Sequence, residues 1–197
     1  MSVEFSFTGF LPWGKEPSNP SQVLVQSLRA SLPPENLPVL YTKVLPVTAQ
    51  AAYRAITHLH SALSLRRQEY PEKAQVLVHL GLHSASLHMV VERAARNLAM
   101  IKGEVEGRIV KEFEEDHKVF TTLKVPRGVD PKLRDSEDAG NFVCNFTYYL
   151  SLLSGLQSGV HVLFIHLPHF DRLSQVEQTR KLALILKGIQ ADLTQNQ

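Results

Sequence analysis

Hydrophobic and polar residues follow two different periodicities along this chain, and segments with each periodicity alternate. Alternating patterns or short continuous apolar runs predict β-strands. VFTTLKV (119–125) is one candidate strand, in addition to the main ones given below. In the first strand Val3, Phe5 and Phe7 share one face. The main predicted strands are VEFSFTGF (3–10), VLYTKVLPV (39–47), QVLVHLG (75–81) and VHVLFIHL (160–167).

Apolar residues spaced three and four positions apart predict helices between these strands. The first helix follows a proline-containing loop and begins at Ser21 as its cap, and the third extends from Ser136 to Gly155 with Ser136 or Asp138 as its cap. Residues 82–118 are ambiguous. The predicted inward stripes are Leu24, Leu28 and Leu32; Ala52, Ile56, Leu59 and Leu63; Phe142, Phe146, Tyr149 and Leu153; and Leu182, Ile185, Leu186, Ile189 and Leu193.

The alternation of strands and helices predicts the α/β class. Strands connected through helices form a mostly parallel, twisted sheet with helices on both faces, which is a three-layer α/β/α sandwich. The 197 residues suit a single domain over 1–197.

Charge and cysteine content exclude several functional classes. The net charge of +2 arises from 21 basic and 19 acidic residues scattered along the chain, so no basic stripe predicts a nucleic-acid partner. No apolar run approaches the ~20 residues of a membrane-spanning helix, so no membrane partner is expected. The single cysteine and the lack of a secretory N-terminal pattern favour the reducing cytoplasm.

Cys144 and His166 are the candidate reactive pair. Cys144 falls in an early turn of the third predicted helix, where free N–H groups favour a thiolate. His166 lies at the end of a predicted strand, where open α/β sheets bind ligands. A buried inert cysteine and a structural histidine are the alternatives, and His169 is the rival base. No metal-ligand spacing and no nucleotide fingerprint occurs, so neither a metal nor a cofactor is expected.

Five segments, in order, resemble the pyroglutamyl-peptidase I family, also called pyrrolidone-carboxylate peptidases. The family opening T-G-F-x-P-F-G is similar to TGFLPWGKEPSNPS, and its E-R-x-x-x-N segment is similar to GLHSASLHMVVERAARN. Its nucleophile motif resembles SEDAGNFVCNFTYY. The other two segments are VFTTLKV and FIHLP.

The resemblance implies that Cys144 is the nucleophile, His166 the general base and Glu92 its supporting acid. Glu92 would fix the imidazole tautomer and stabilise the imidazolium. From its surroundings in the sequence alone, Glu92 is a solvated charge beside Arg93.

The resemblance also implies a pocket for the flat lactam ring of a pyroglutamyl peptide. Phe10 and Trp13 would stack on that ring, and backbone groups near Phe142 and Val143 would contact the lactam. The expected reaction is hydrolysis of the bond after an N-terminal pyroglutamyl residue, through a thioester and without a cofactor.

Two departures from the family pattern leave alternatives open. Trp13 replaces a common phenylalanine, and Leu98–Lys118 lacks the proline-bearing loop of many bacterial members, which predicts a mobile flap. A catalytically weak member that binds peptides or partners is therefore one alternative, and a thiol hydrolase with another substrate is a second. The sequence does not distinguish a monomer from a homo-oligomer. Some bacterial members of the family form homo-oligomers.

Overall fold

The computed structural model of the protein describes residues 2–31, 37–125 and 133–195. Within these ranges the helices are α1 (Pro20–Ser31), α2 (Ala49–Glu69), α3 (Val143–Ser158) and α4 (Gln175–Gln195). The long strands are β1 (Ser2–Phe10), β2 (Val39–Leu45), β3 (Lys73–Leu82) and β10 (His161–Leu167). The short strands are β4 (Val90–Glu92), β5 (Ala94–Arg96), β6 (Ala99–Ile101), β7 (Val105–Gly107), β8 (Lys118–Phe120) and β9 (Arg134–Ser136).

Six of the described strands form one sheet in the order β2-β1-β3-β10-β4-β9. All neighbouring pairs are parallel except β10 and β4, which are antiparallel. The prediction of a mostly parallel sheet is confirmed. The connection β1–α1–β2 runs to one side of β1 and β3 lies on the other side. This divergence opens a crevice at the carboxyl ends of the strands.

Apolar side chains on the two faces of the sheet form separate cores, which confirms the three-layer architecture. Leu163 and Ile165 of β10 pack with α1 and α4 on one face. Val162 and Phe164, the alternate residues of the same strand, pack with α2 and α3 on the other. The predicted stripes of α2 and α4 are buried, apart from a partly buried Leu193, whereas Leu32 lies outside the described residues.

Two helix starts differ from their predictions. Asn19 caps α1, because its Oδ1 accepts hydrogen bonds from both the backbone N–H and the hydroxyl of Ser21. Helix α3 begins at Val143, seven residues after the predicted start at Ser136. The preceding loop turns at Gly140, where φ is +81°, a conformation that ends any continuous helix there.

The region from 82 to 125 is built from short strands and turns. Strand β8 pairs with β5 outside the main sheet, and it contains only the beginning of the predicted strand 119–125. Strands β6 and β7 form a small hairpin. No helix in the described ranges is long and apolar enough to cross a membrane.

Candidate active site

Glu92 and His166 form a buried pair at the antiparallel junction of the sheet. The register places Phe164 opposite Glu92 and His166 opposite Val90. From neighbouring strands the two side chains meet, with Glu92 Oε1 2.7 Å from His166 Nδ1. Glu92 is 1% exposed, so the interpretation of a solvated surface charge is wrong.

Cys144 approaches the same imidazole from helix α3. It is the second residue of the helix and is half-buried, and its sulphur lies against Gly81, the residue of β3 that is paired with His166. Because Nδ1 is engaged by Glu92, Nε2 is the ring nitrogen that faces the sulphur. The structure thus brings together the three residues that the family resemblance selects.

The protonation of His166 reflects these neighbours. Burial disfavours the imidazolium, but the interactions with Cys144 and Glu92 outweigh it and raise the pKa of His166 to about 9. Near neutral pH the histidine therefore carries a proton. Such a group can stabilise a neighbouring thiolate and can donate that proton to a leaving group.

The start of α3 presents unpaired backbone N–H groups beside the sulphur. Phe142 is the N-cap, with extended backbone, and no described side chain caps this end. The N–H groups of Val143, Cys144 and Asn145 have no partner within the helix, since the first turn lacks preceding carbonyls. They provide donors for a developing oxyanion.

Gly81 leaves room for the Cys144 sulphur near the carboxyl end of strand β3. It is paired with His166 on the adjacent strand β10. A Cβ atom at Gly81 would lie 2.9 Å from Cys144 Sγ and 2.7 Å from Phe164 Cζ. The Phe164 ring also lies 4.8 Å from the His166 ring, so glycine at this position allows nucleophile and base to share one face of the sheet.

Of the four residues predicted to bind the lactam, two are buried and two are exposed. Phe10 and Val143 are buried in the apolar cluster against which Cys144 packs. Trp13 and Phe142 are 58% and 55% exposed, and their ring centroids lie 6.1 Å apart. Phe142 therefore does not belong to the inward stripe of α3. The exposed ring that faces Trp13 is Phe142, whereas Phe10 is part of the buried core cluster.

His169, the rival base, is engaged elsewhere. Its Nε2 lies 3.3 Å from Glu16 Oε2, so it links the loop after β10 to the loop that carries Trp13. No contact between His169 and Cys144 is found in the described residues.

Residues 98–118 are fixed to the rest of the protein by polar side chains. The buried Asn97 amide donates to the carbonyls of Val110, Phe113 and Glu114, and its oxygen accepts from Val110 N–H. In addition, Glu104 accepts a hydrogen bond from the N-terminal N–H of α2 at Ala49. These contacts favour a preformed wall and argue against the mobile flap predicted from composition.

Two residues near the triad were missed as functional candidates in the sequence. His83, directly after β3, has its ring centroid 5.7 Å from that of His166 in an edge-on arrangement. Gly81 lies in the same segment, and its importance depends on a close approach from α3 that no sequence pattern reveals. Among the described residues, no group of three or more His, Cys, Asp or Glu side chains could hold a metal ion.

Comparisons with known proteins identify the family of this chain. A family model described as pyroglutamyl peptidase matches residues 4–192. Pyroglutamyl-peptidase 1 of Mus musculus is 26% identical over 206 residues, which cover 95% of this chain and 90% of that protein. The human protein of the same name is 27% identical, over 87% of this chain and 81% of its own length.

Solved structures share the fold. Pyrrolidone carboxyl peptidase from Thermococcus litoralis has a TM-score of 0.80 at 20% identity, covering 98% of this chain and 96% of that chain. Pyroglutamyl peptidase I from Bacillus amyloliquefaciens has a TM-score of 0.75 at 19% identity, covering 96% and 95%. Because the family model matches nearly the whole sequence, the chain belongs to the pyroglutamyl peptidase family.

Proposed function

We propose that this chain, acting as one domain in the cytoplasm, is a cysteine peptidase that removes an N-terminal pyroglutamyl residue from peptides. The observation that carries the proposal is the convergence of three side chains: Glu92 Oε1 lies 2.7 Å from His166 Nδ1, and the Cys144 sulphur lies against Gly81, the sheet partner of His166. Its relatives bear the names of pyroglutamyl and pyrrolidone-carboxylate peptidases, which supplies the substrate class. The binding partner of the site is accordingly a pyroglutamyl peptide, and the chemistry uses protein side chains alone.

In the first half of the reaction, the Cys144 sulphur attacks the carbonyl carbon that joins pyroglutamate to the next residue. The carbonyl oxygen becomes an oxyanion, which accepts hydrogen bonds from the open N–H groups at the start of α3. His166 then donates its proton to the leaving amine. The C–N bond breaks, and a thioester joins the pyroglutamyl group to Cys144.

In the second half, His166 accepts a proton from water while the water oxygen attacks the thioester carbon. The C–S bond breaks, free pyroglutamate leaves, and the proton returns the site to its starting state. Throughout both steps Glu92 holds Nδ1 of His166, which keeps Nε2 directed at the reacting atoms and stabilises the imidazolium.

The proposed lactam site suits an uncharged terminus. A pyroglutamyl group lacks the ammonium of an ordinary N-terminus, so apolar walls and stacking rings select it where a buried carboxylate would select an ammonium. Trp13 and Phe142 at the mouth, with Phe10 and Val143 in the wall, supply such surfaces. Backbone groups at Phe142 and Val143 provide the hydrogen bonds to the lactam.

Turnover of a pyroglutamyl amide reporter tests the proposal. We expect hydrolysis by the wild type and none by Cys144→Ala, which removes the nucleophile but little volume. His166→Ala should lose several orders of magnitude in kcat. His169→Ala is the matched histidine control and should be mild. No turnover by folded wild-type protein, or full activity of Cys144→Ala, would overturn the proposal and favour a binding protein or another hydrolase.

A further inference from the structure

His83 lies on the solvent-exposed side of the proposed triad of Cys144, His166 and Glu92. The Cα of Gly81, two residues earlier, faces the Cys144 sulphur. Residues two apart in an extended segment lie on the same face, so His83 is on the face of Cys144. The backbone N–H of His83 continues the pairing with β10 by donating to the carbonyl of Leu167. Its exposed ring contacts His166 edge-on, with centroids 5.7 Å apart.

In the proposed reaction the leaving part of the substrate lies beside His166, and the exposed His83 ring borders His166. On the inner side of His166, the fully buried Phe164 ring closes the site. Proton donation requires the leaving nitrogen within about 3 Å of His166 Nε2. A residue adds at most ~3.6 Å of chain length, so the first or second residue after pyroglutamate comes within reach of His83.

The chemistry of this rim favours an acidic side chain. No side chain in the described ranges hydrogen-bonds to the His83 ring, so its nitrogens are open to a ligand. Arg172 brings a cation to the same loop by donating to the carbonyl of Ser86. The Glu16 carboxylate lies 3.3 Å from His169 Nε2, and no contact in the described residues links it to His83.

We propose that His83 is a specificity-determining residue that favours aspartate or glutamate at the first or second position after pyroglutamate. This inference rests on the proposed peptidase function. It concerns the leaving side of the substrate and is independent of the lactam pocket.

The test compares two peptides that differ only in charge, pyroglutamyl-Glu-Ala-amide and pyroglutamyl-Gln-Ala-amide, with a second pair carrying Glu or Gln one residue later. The measured quantity is the ratio of kcat/KM within each pair, in low-salt buffer because salt screens exposed charges. Each variant serves as its own reference, so a general loss of activity or folding cancels from the ratio. The variants are His83→Gln, His83→Lys and His88→Gln, a histidine of the same loop.

We expect the wild type to prefer the glutamate peptide of one pair by about two- to fivefold, the discrimination that the contacts of an exposed carboxylate supply. His83→Gln should bring that ratio close to one, His83→Lys should restore it, and His88→Gln should leave it as in the wild type. An equal ratio in the wild type and His83→Gln, or no preference in the wild type, would overturn the proposal. Absence of all turnover by the wild type would instead refute the peptidase function.

Discussion

Replacing Gly81 by alanine tests the proposed geometry of the nucleophile directly. The added methyl carbon would lie 2.9 Å from Cys144 Sγ and 2.7 Å from Phe164 Cζ. Non-bonded heavy atoms prefer separations of about 3.5–4.0 Å, so the sulphur would have to move by roughly 0.6–1.1 Å. Phe164 is fully buried and cannot retreat without displacing His166, which its ring contacts. Relief of the Phe164 contact therefore shifts that ring against His166, and the half-buried Cys144 side chain must move as well.

This displacement should cost much more activity than stability. A misplacement of about 1 Å reduces a rate by roughly 10²-fold, whereas overpacking a core costs about 1–3 kcal/mol. Gly155→Ala is the matched control, because its Cβ would lie 2.7 Å from the carbonyl oxygen of Val160, near the far end of the same helix. It should lose similar stability while keeping most of its activity.

The assay combines kcat/KM for a pyroglutamyl amide with the urea midpoint of each variant. The expected result is about a 10²-fold loss for Gly81→Ala and comparable destabilisation in both variants. Wild-type kcat/KM in a folded Gly81→Ala protein would refute the reasoning, since the attacking sulphur could not then occupy the position beside Gly81.

Three further predictions concern the surroundings of the site. Glu92→Gln keeps the shape but removes the charge that supports the imidazolium, so kcat should fall by about 10²- to 10⁴-fold with little change in KM; an unchanged kcat would deny Glu92 this role. Burial lowers the pKa of His60 to about 4 and of His79 to about 3, below the ~6.5 of an unfolded chain. The unfolded state therefore binds more protons, and the unfolding free energy should fall as pH drops below about 6.5. Once the pH has fallen to the folded-state pKa, the loss should be on the order of 3–5 kcal/mol for each histidine. Constant stability in urea titrations from pH 7 to 4 would contradict this. Asn97→Ala should speed hydrogen exchange across residues 110–114, and unchanged protection there would show that other contacts hold the wall.

The long elements were predictable because each carries its own periodic pattern. The continuous apolar run of β3 and the spacing-four stripe of α2 identify a buried strand and an amphipathic helix without tertiary information. The start of α3 was not predictable, because the positive φ of Gly140 interrupts the helix that the apolar pattern predicts from Ser136. Strands such as β4 have only three residues, too few for a periodic signal, and they exist through pairing with distant partners.

The candidate site divides in the same way. Cys144 and His166 were candidates from their predicted positions in an early helical turn and at a strand end, and the family resemblance selected them over an inert cysteine and a structural histidine. The burial of Glu92 depends on the register that sets it opposite Phe164, and that register is a tertiary property. The contact of His83 with His166 likewise arises from two segments more than 80 positions apart, and no local pattern announces it.

Capture of the acyl-enzyme tests the central claim most directly. The protein is mixed with a pyroglutamyl ester, whose good leaving group speeds acylation, and is quenched in acid for intact-mass and peptide-level mass spectrometry. The account predicts a mass increase of one pyroglutamyl group, located on Cys144 and absent from Cys144→Ala. Rapid ester turnover with no adduct on Cys144, or an adduct on another residue, would contradict the account.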